Sequence, residues 1–146
     1  MSDSQTLQQL RRFLLLLVVG LCVLTMIELW LEEHVEDLQL VPFFLCSLTL
    51  VAVLVYWRRP QRETLIALRA SLLLLVIGSL AGIYLHVTGN LAFALEIRPN
   101  AGIADVWYEA LSGGSPLLAP GILALAASLA GAATWRQDPL ADSSSS

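Results

Sequence analysis

The chain has 146 residues, 57% of them apolar and 14% charged, with a net charge of −4 at pH 7 and a mean hydropathy of +0.73. The charged fraction is about half the ~25% of an ordinary soluble domain. This balance points to an integral membrane protein, excludes a basic nucleic-acid-binding surface, and leaves too few residues for a separate soluble domain.

A helix crosses a hydrocarbon core of about 30 Å with roughly 17–25 residues, each rising about 1.5 Å. Four segments are expected to do so: Phe13–Leu31, Leu40–Trp57, Ile66–His86 and Pro116–Trp135. The expected fold is all-α, an integral membrane four-helix bundle over residues 1–136, followed by a disordered cytoplasmic tail at 137–146. The first segment follows Arg11 and Arg12 as a signal-peptide core would, but no small-x-small cleavage site follows it. It is therefore read as an anchor. Cys22 and Cys46 lie inside the first two spans without CxxC spacing and read as small core residues, not redox thiols.

The stretch "MIELWLEEHVEDLQLVP" (26–42) holds five carboxylates, one histidine and no basic residue. If the first helix continues beyond Leu31, Glu28, Glu32 and Glu36 share one stripe, and like charges at i, i+4 spacing repel by a few tenths of a kcal/mol. Glu28 also lies one turn inside the expected hydrocarbon boundary, where a carboxylate must pair, protonate or face a wet cavity.

Positive residues beside spans stay in the cytoplasm. The chain has no lysine, and seven of its eight arginines (11, 12, 58, 59, 62, 69 and 136) flank one side, leaving Arg98 on the other. A bacterial inner (plasma) membrane location with both termini cytoplasmic is expected. Residues 32–39 and 87–115 then lie outside, with eight acids on that face against Arg98. Trp30 and Tyr84 at the outer ends, and Tyr56, Trp57 and Trp135 at the inner ends, fit interfacial aromatic belts.

Gly78 and Gly82 form a GxxxG pair in the third span, and Ala126, Ala127, Ala130, Gly131 and Ala133 line the fourth. Small residues let membrane helices approach closely, so these faces are expected to meet. The connection 87–115 is too long for an unstructured loop. In it "LAFALEI" alternates as an extended segment would, and "IADVWYEAL" places Ile103, Val106, Trp107, Ala110 and Leu111 on one helical stripe. That amphipathic helix is expected to cover the mouth of the bundle. Ser115 and Pro116 suit a helix start, whereas Pro120, one turn later, suggests a bend with a freed carbonyl.

Spans one and three both run outward, so Glu28, Glu32, His34, His86, Asn90 and Glu96 are expected to converge below the loop. Carboxylates with imidazole suit a divalent cation such as zinc, manganese or iron, with Glu28, Glu32, His34, His86 and Glu96 as ligands. Haem ligation by His34 and His86 is the weaker form of this idea, and hydrated acids with structural histidines its plain alternative. The segments "LHVTGNLAFALEIRPNAG" and "EALSGGSPLLAPG" resemble the outer loop and last span of a set of small, functionally uncharacterised four-span bacterial inner-membrane proteins. The resemblance implies an inner-membrane location and singles out His86, Asn90, Glu96, Pro99 and Pro120, but carries no activity.

Three function classes follow. The first is a binding or accessory protein with a polar outer pocket, working in the bilayer as a homo-oligomer or part of a larger membrane complex. The second is a small oligomeric transporter or channel with Glu28 as coupling carboxylate. It is disfavoured because no span carries an ionisable group near its midplane. The third, a membrane metalloenzyme, comes last because no nucleophile–base pair or nucleotide loop is present.

Overall fold

The computed structural model describes residues 3–33, 37–113 and 117–137. Among them the fold is all-helical and without strands: α1 (Asp3–Leu31), a 3₁₀ turn (Asp37–Leu40), α2 (Val41–Arg58), α3 (Arg62–Ile97), α4 (Ile103–Ser112) and α5 (Leu118–Ala133). His34, Glu36, Ser115, Pro116 and residues 138–146 lie outside the described residues.

Helix boundaries follow local chemistry. α1 starts ten residues before Phe13 because "DSQTLQQLRR" contains no breaker, and Asp3 sits in its first turn, where the helix dipole favours an acid. Beyond Leu31 the chain turns, with Glu33 and Asp37 in the left-handed region (φ 55° and 43°). α2 ends before Arg59-Pro60, since a residue preceding proline is pushed out of the helical region. At the start of α3 the Gln61 backbone N–H donates to Thr64 Oγ1 (3.1 Å).

α3 is the main departure from the sequence reading. It continues unbroken through "LAFALEI" to Ile97, 36 residues in all, or roughly 54 Å at the helical rise. The alternation of Leu91, Phe93, Leu95 and Ile97 suits an extended segment, yet leucine, alanine and glutamate favour helix and Gly89 alone is too weak to stop one. Arg98-Pro99 ends it, and exposed Pro99 opens the turn to α4.

α1, α2 and α3 are long and apolar enough to cross a membrane; α5 is equally apolar but only 16 residues long. Most of the apolar surface of the three long helices faces outward, as with Phe13, Leu24, Leu73 and Leu80. A helix apolar on all sides needs a nonpolar medium or a large protein around it, so this pattern is compatible with a membrane protein. α1, α2, α3 and α5 form a ring in that cyclic order, with α4 packed on α3 outside it, and share one core of leucine, valine and small side chains that contains both cysteine thiols, fully buried.

Gly78 and Gly82 do not face one partner. A Cβ on Gly78 would collide with Leu45 Cδ1 of α2, and one on Gly82 would press on the Pro120 ring of α5 at 3.2 Å. On α5, Ala126, Ala127, Ala130 and Ala133 are buried, whereas Gly131 points into open space. Pro120 lies in the first turn of α5, where its missing N–H removes no helical bond, so it introduces no bend. Its carbonyl accepts a hydrogen bond from the buried Ser79 Oγ of α3 (2.5 Å). Ser79→Ala is expected to destabilise the protein by about 1 kcal/mol, read from its unfolding midpoint in mixed micelles.

At the opposite end, carbonyls of the turn that follows α5 are satisfied by arginines. Arg69 donates to the Thr134 carbonyl (2.8 Å) and Arg11 to that of Trp135 (3.2 Å). Cations there also suit the negative end of the helix dipole. Tyr56, assigned above to an aromatic belt, is buried and hydrogen-bonds Gln137; Trp30, Trp57, Tyr84 and Trp135 do face outward.

Candidate functional site

Among the described residues α4 packs on α3 alone. Gly102 N–H donates to the Asp105 carboxylate (2.8 Å) at its start, and Val106 and Ala110 are its buried side chains. Asn90, itself buried, donates to the Ala110 carbonyl (3.2 Å), and Arg98 pairs with Glu109 at the surface. Ile103, Trp107 and Leu111, the rest of the expected apolar stripe, stay exposed. The helix was expected to cover the bundle mouth. It instead forms a hairpin with the distal turns of α3, because those turns remain helical and carry it past the other helices.

The expected metal-ligand set is not assembled. Among the described residues, no three histidine, cysteine, aspartate or glutamate side chains come together in a way that could hold an ion, and His34 lies outside those residues. Helical continuity separates the rest: Glu96 is exposed and ten residues beyond half-buried His86 on the same helix, roughly 15 Å along the axis. Glu28 is half-buried and Glu32 exposed at the end of α1. Asn90 holds α4 and does not join a polar pocket beside Glu28.

What lies between the helices at this end is an apolar cavity of about 400 Å³. α1 contributes Thr25 and Leu29, the 3₁₀ turn Leu38 and Gln39, and α2 Pro42 and Leu45. The third wall is α3, with Gly78, Gly82 and His86 among its residues, and Pro120 and Leu123 of α5 close the fourth. The two glycines matter by omission, since side chains there would occupy the space or push away Leu45 and Pro120. The volume falls within the roughly 300–1,000 Å³ of small-molecule sites, and the mostly apolar lining with a few polar groups is also typical of them.

Thr25 is the polar residue that sequence reasoning missed. Its side chain is 1% exposed, and its Oγ1, like that of Thr49 on α2 away from the cavity, is closed off and has no hydrogen-bond partner. A threonine on a helix ordinarily bonds back to a carbonyl one turn earlier, and a buried hydroxyl left unsatisfied costs about 1–3 kcal/mol. The signal was present in "GLCVLTMIELWL", where Cys22, Thr25 and Leu29 recur at helical spacing on the buried side. A second, smaller cavity of about 260 Å³ lies in the α3–α4 hairpin between Asn90, Phe93, Arg98 and Glu109.

The chain matches no protein-family model, no curated protein and no solved structure at a significant level.

Proposed function

We propose that this chain is a multi-pass membrane protein with a binding or accessory role, whose ligand site is the apolar cavity among α1, α2, α3 and α5. In this reading all four helices cross a bacterial inner membrane as a bundle, α5 as a short span prolonged by the turn at 134–136. The arginine-rich end is cytoplasmic, and the cavity opens toward the outer leaflet. The observation that carries the binding role is the apolar cavity of about 400 Å³ among the four helices, the size of a ligand site and kept open by the absence of side chains at Gly78 and Gly82. Supporting the membrane placement are the outward-facing apolar side chains and the gathering of seven of the eight arginines at one end.

Native mass spectrometry of protein extracted in mild detergent tests the reading. Wild type is expected to carry a bound amphiphile that Ala81→Phe, which fills the cavity from an exposed position on its wall, removes. Adducts retained equally by that variant would refute the site. Cysteines placed at Ser4 and Glu96 should react with an impermeant maleimide from opposite sides of the membrane; labelling of both from one side would refute the orientation.

One observation favours the transporter reading as a second choice: Glu28 is half-buried beside Leu29, a wall residue of the cavity. Flux through proteoliposomes abolished by Glu28→Gln would select it.

A further inference from the structure

The end of the bundle away from the cavity is densely basic. Seven arginines gather there, and the acids that share it among the described residues are Asp3 and Glu63. Arg11 and Arg69 are engaged by carbonyls of the turn after α5. None of the seven forms an ion pair among the described residues. We propose that the turn joining α2 to α3 binds an anionic phospholipid of the cytoplasmic leaflet, its phosphate held by Arg58, Arg59 and Arg62 and its acyl chains lying along the outward faces of both helices. This rests on the membrane placement proposed above and is independent of the cavity.

Charge is the first support. Three exposed arginines fall within five residues, and Glu63 is the one acid beside them. Each guanidinium offers a planar fork that matches phosphate oxygens. Near an anionic leaflet each basic residue strengthens attachment by roughly five-fold, so the net excess over Glu63 favours a headgroup with net negative charge. A zwitterionic headgroup brings its own ammonium to the phosphate and gains less.

The backbone beneath these side chains is already fixed. The Arg59 carbonyl accepts hydrogen bonds from the Thr64 hydroxyl (2.6 Å) and the Gln61 N–H (2.8 Å), and the Arg59 N–H donates to the Val55 carbonyl (2.9 Å). Pro60 restricts the turn further. Binding therefore orders side chains and not the loop, which lowers its entropic cost.

The neighbouring surface selects a lipid over a free phosphate. Leu54 precedes Arg58 by one helical turn on α2, and Ile66, Leu73 and Ile77 recur on the stripe of α3 that begins at Arg62. All four are exposed, as is Trp57 beside Arg58. Arginine heads thus stand at the ends of apolar stripes on both helices, the order of charge and hydrocarbon that a phospholipid carries. At the other end of the bundle, Arg98 is paired with Glu109 and offers no such match.

Lipid retention by the full-length protein tests the proposal. The protein, held on resin in maltoside, is offered equal amounts of phosphatidylglycerol and phosphatidylethanolamine with identical acyl chains, and bound lipid is counted by mass spectrometry after washing. Phosphatidylglycerol is expected in about five-fold excess or more at about 0.1 M salt, where charges are screened over about 10 Å, and the excess should vanish at about 1 M, where screening acts within about 3 Å. Arg58→Gln/Arg59→Gln/Arg62→Gln should bring the two lipids near parity, whereas Arg98→Gln should leave the excess intact. Circular dichroism verifies that the triple variant folds. Equal retention by wild type, or an excess that survives in the triple variant, would overturn the site. The salt series uses wild type alone, so an excess unaffected by salt overturns the charge basis whatever the variant does. Labelling of Ser4→Cys and Glu96→Cys from one side of the membrane would instead overturn the placement on which the proposal rests.

Discussion

Ala130→Leu is expected to lower the unfolding midpoint of the detergent-solubilised protein by roughly 10 °C, followed by circular dichroism. Ala126 and Ala130 are fully buried and lie one turn apart on the face of α5 that meets α1 and α3. No cavity lies against Ala130 among those described, so the added carbons must push helices apart. Overpacking of this kind typically costs about 1–3 kcal/mol, and about 1 kcal/mol moves the midpoint of a chain this size by several degrees. The loss does not stop at dispersion. Any shift of α5 also pulls Thr134 and Trp135 from Arg69 and Arg11. Gly131→Ala is the internal contrast. Its new Cβ meets nothing within 4 Å, and replacing a helical glycine gains up to about 1 kcal/mol. Similar losses in both variants would show that the buried face of α5 is misassigned.

That contrast also marks what could be read from the sequence. Ala126, Ala127, Ala130, Gly131 and Ala133 were all candidates for close approach on composition. Only their angular position around the helix separates Gly131 from the others, and a helix apolar on every side gives no polar stripe from which to measure that angle. The existence of the long apolar helices was legible from their uninterrupted apolar runs, and the end of α2 from Arg59-Pro60. So was α4, whose stripe has a polar opposite face. The continuation of α3 was not. Between His86 and Ile97 the residues satisfy both a two-residue and a helical pattern, and helix propensity with continuity from the preceding turns decides between them. That one misreading propagated. With the chain assumed to leave the helix near His86, Asn90 and Glu96 could fold back toward Glu28, and α4 could reach the other helices. With the helix intact, both possibilities vanish, and the metal reading loses the geometry on which it depended. The cavity could not have been anticipated from spacing alone, since it is made by Gly78, Leu45 and Pro120, residues distant in sequence whose shared feature is what they leave unfilled.

Val106→Asp is expected to detach α4 while leaving the other helices folded. In hydrogen exchange, protection of amides 106–112 should fall by about 100-fold or more, with the thermal midpoint of the α1, α2, α3 and α5 core changed by less than ~2 °C. Val106 is fully buried against α3, and an ionised carboxylate held there without a partner costs several kcal/mol. What holds α4 down is modest by comparison: two small buried side chains, the Asn90 hydrogen bond to the Ala110 carbonyl, and the Arg98–Glu109 pair. A surface ion pair of that sort contributes about 0–1 kcal/mol, so Glu109→Gln should leave exchange nearly unchanged. Undocking is thus cheaper than burying the charge. The core is spared because among the described residues α4 touches no helix but α3, and the side chains it covers, Asn90 and Ala94, lie beyond the cavity. Ligand binding in the cavity should persist in Val106→Asp for the same reason. Its loss together with α4 protection would show that the hairpin and the cavity act as one unit, with α3 as the rigid element joining them.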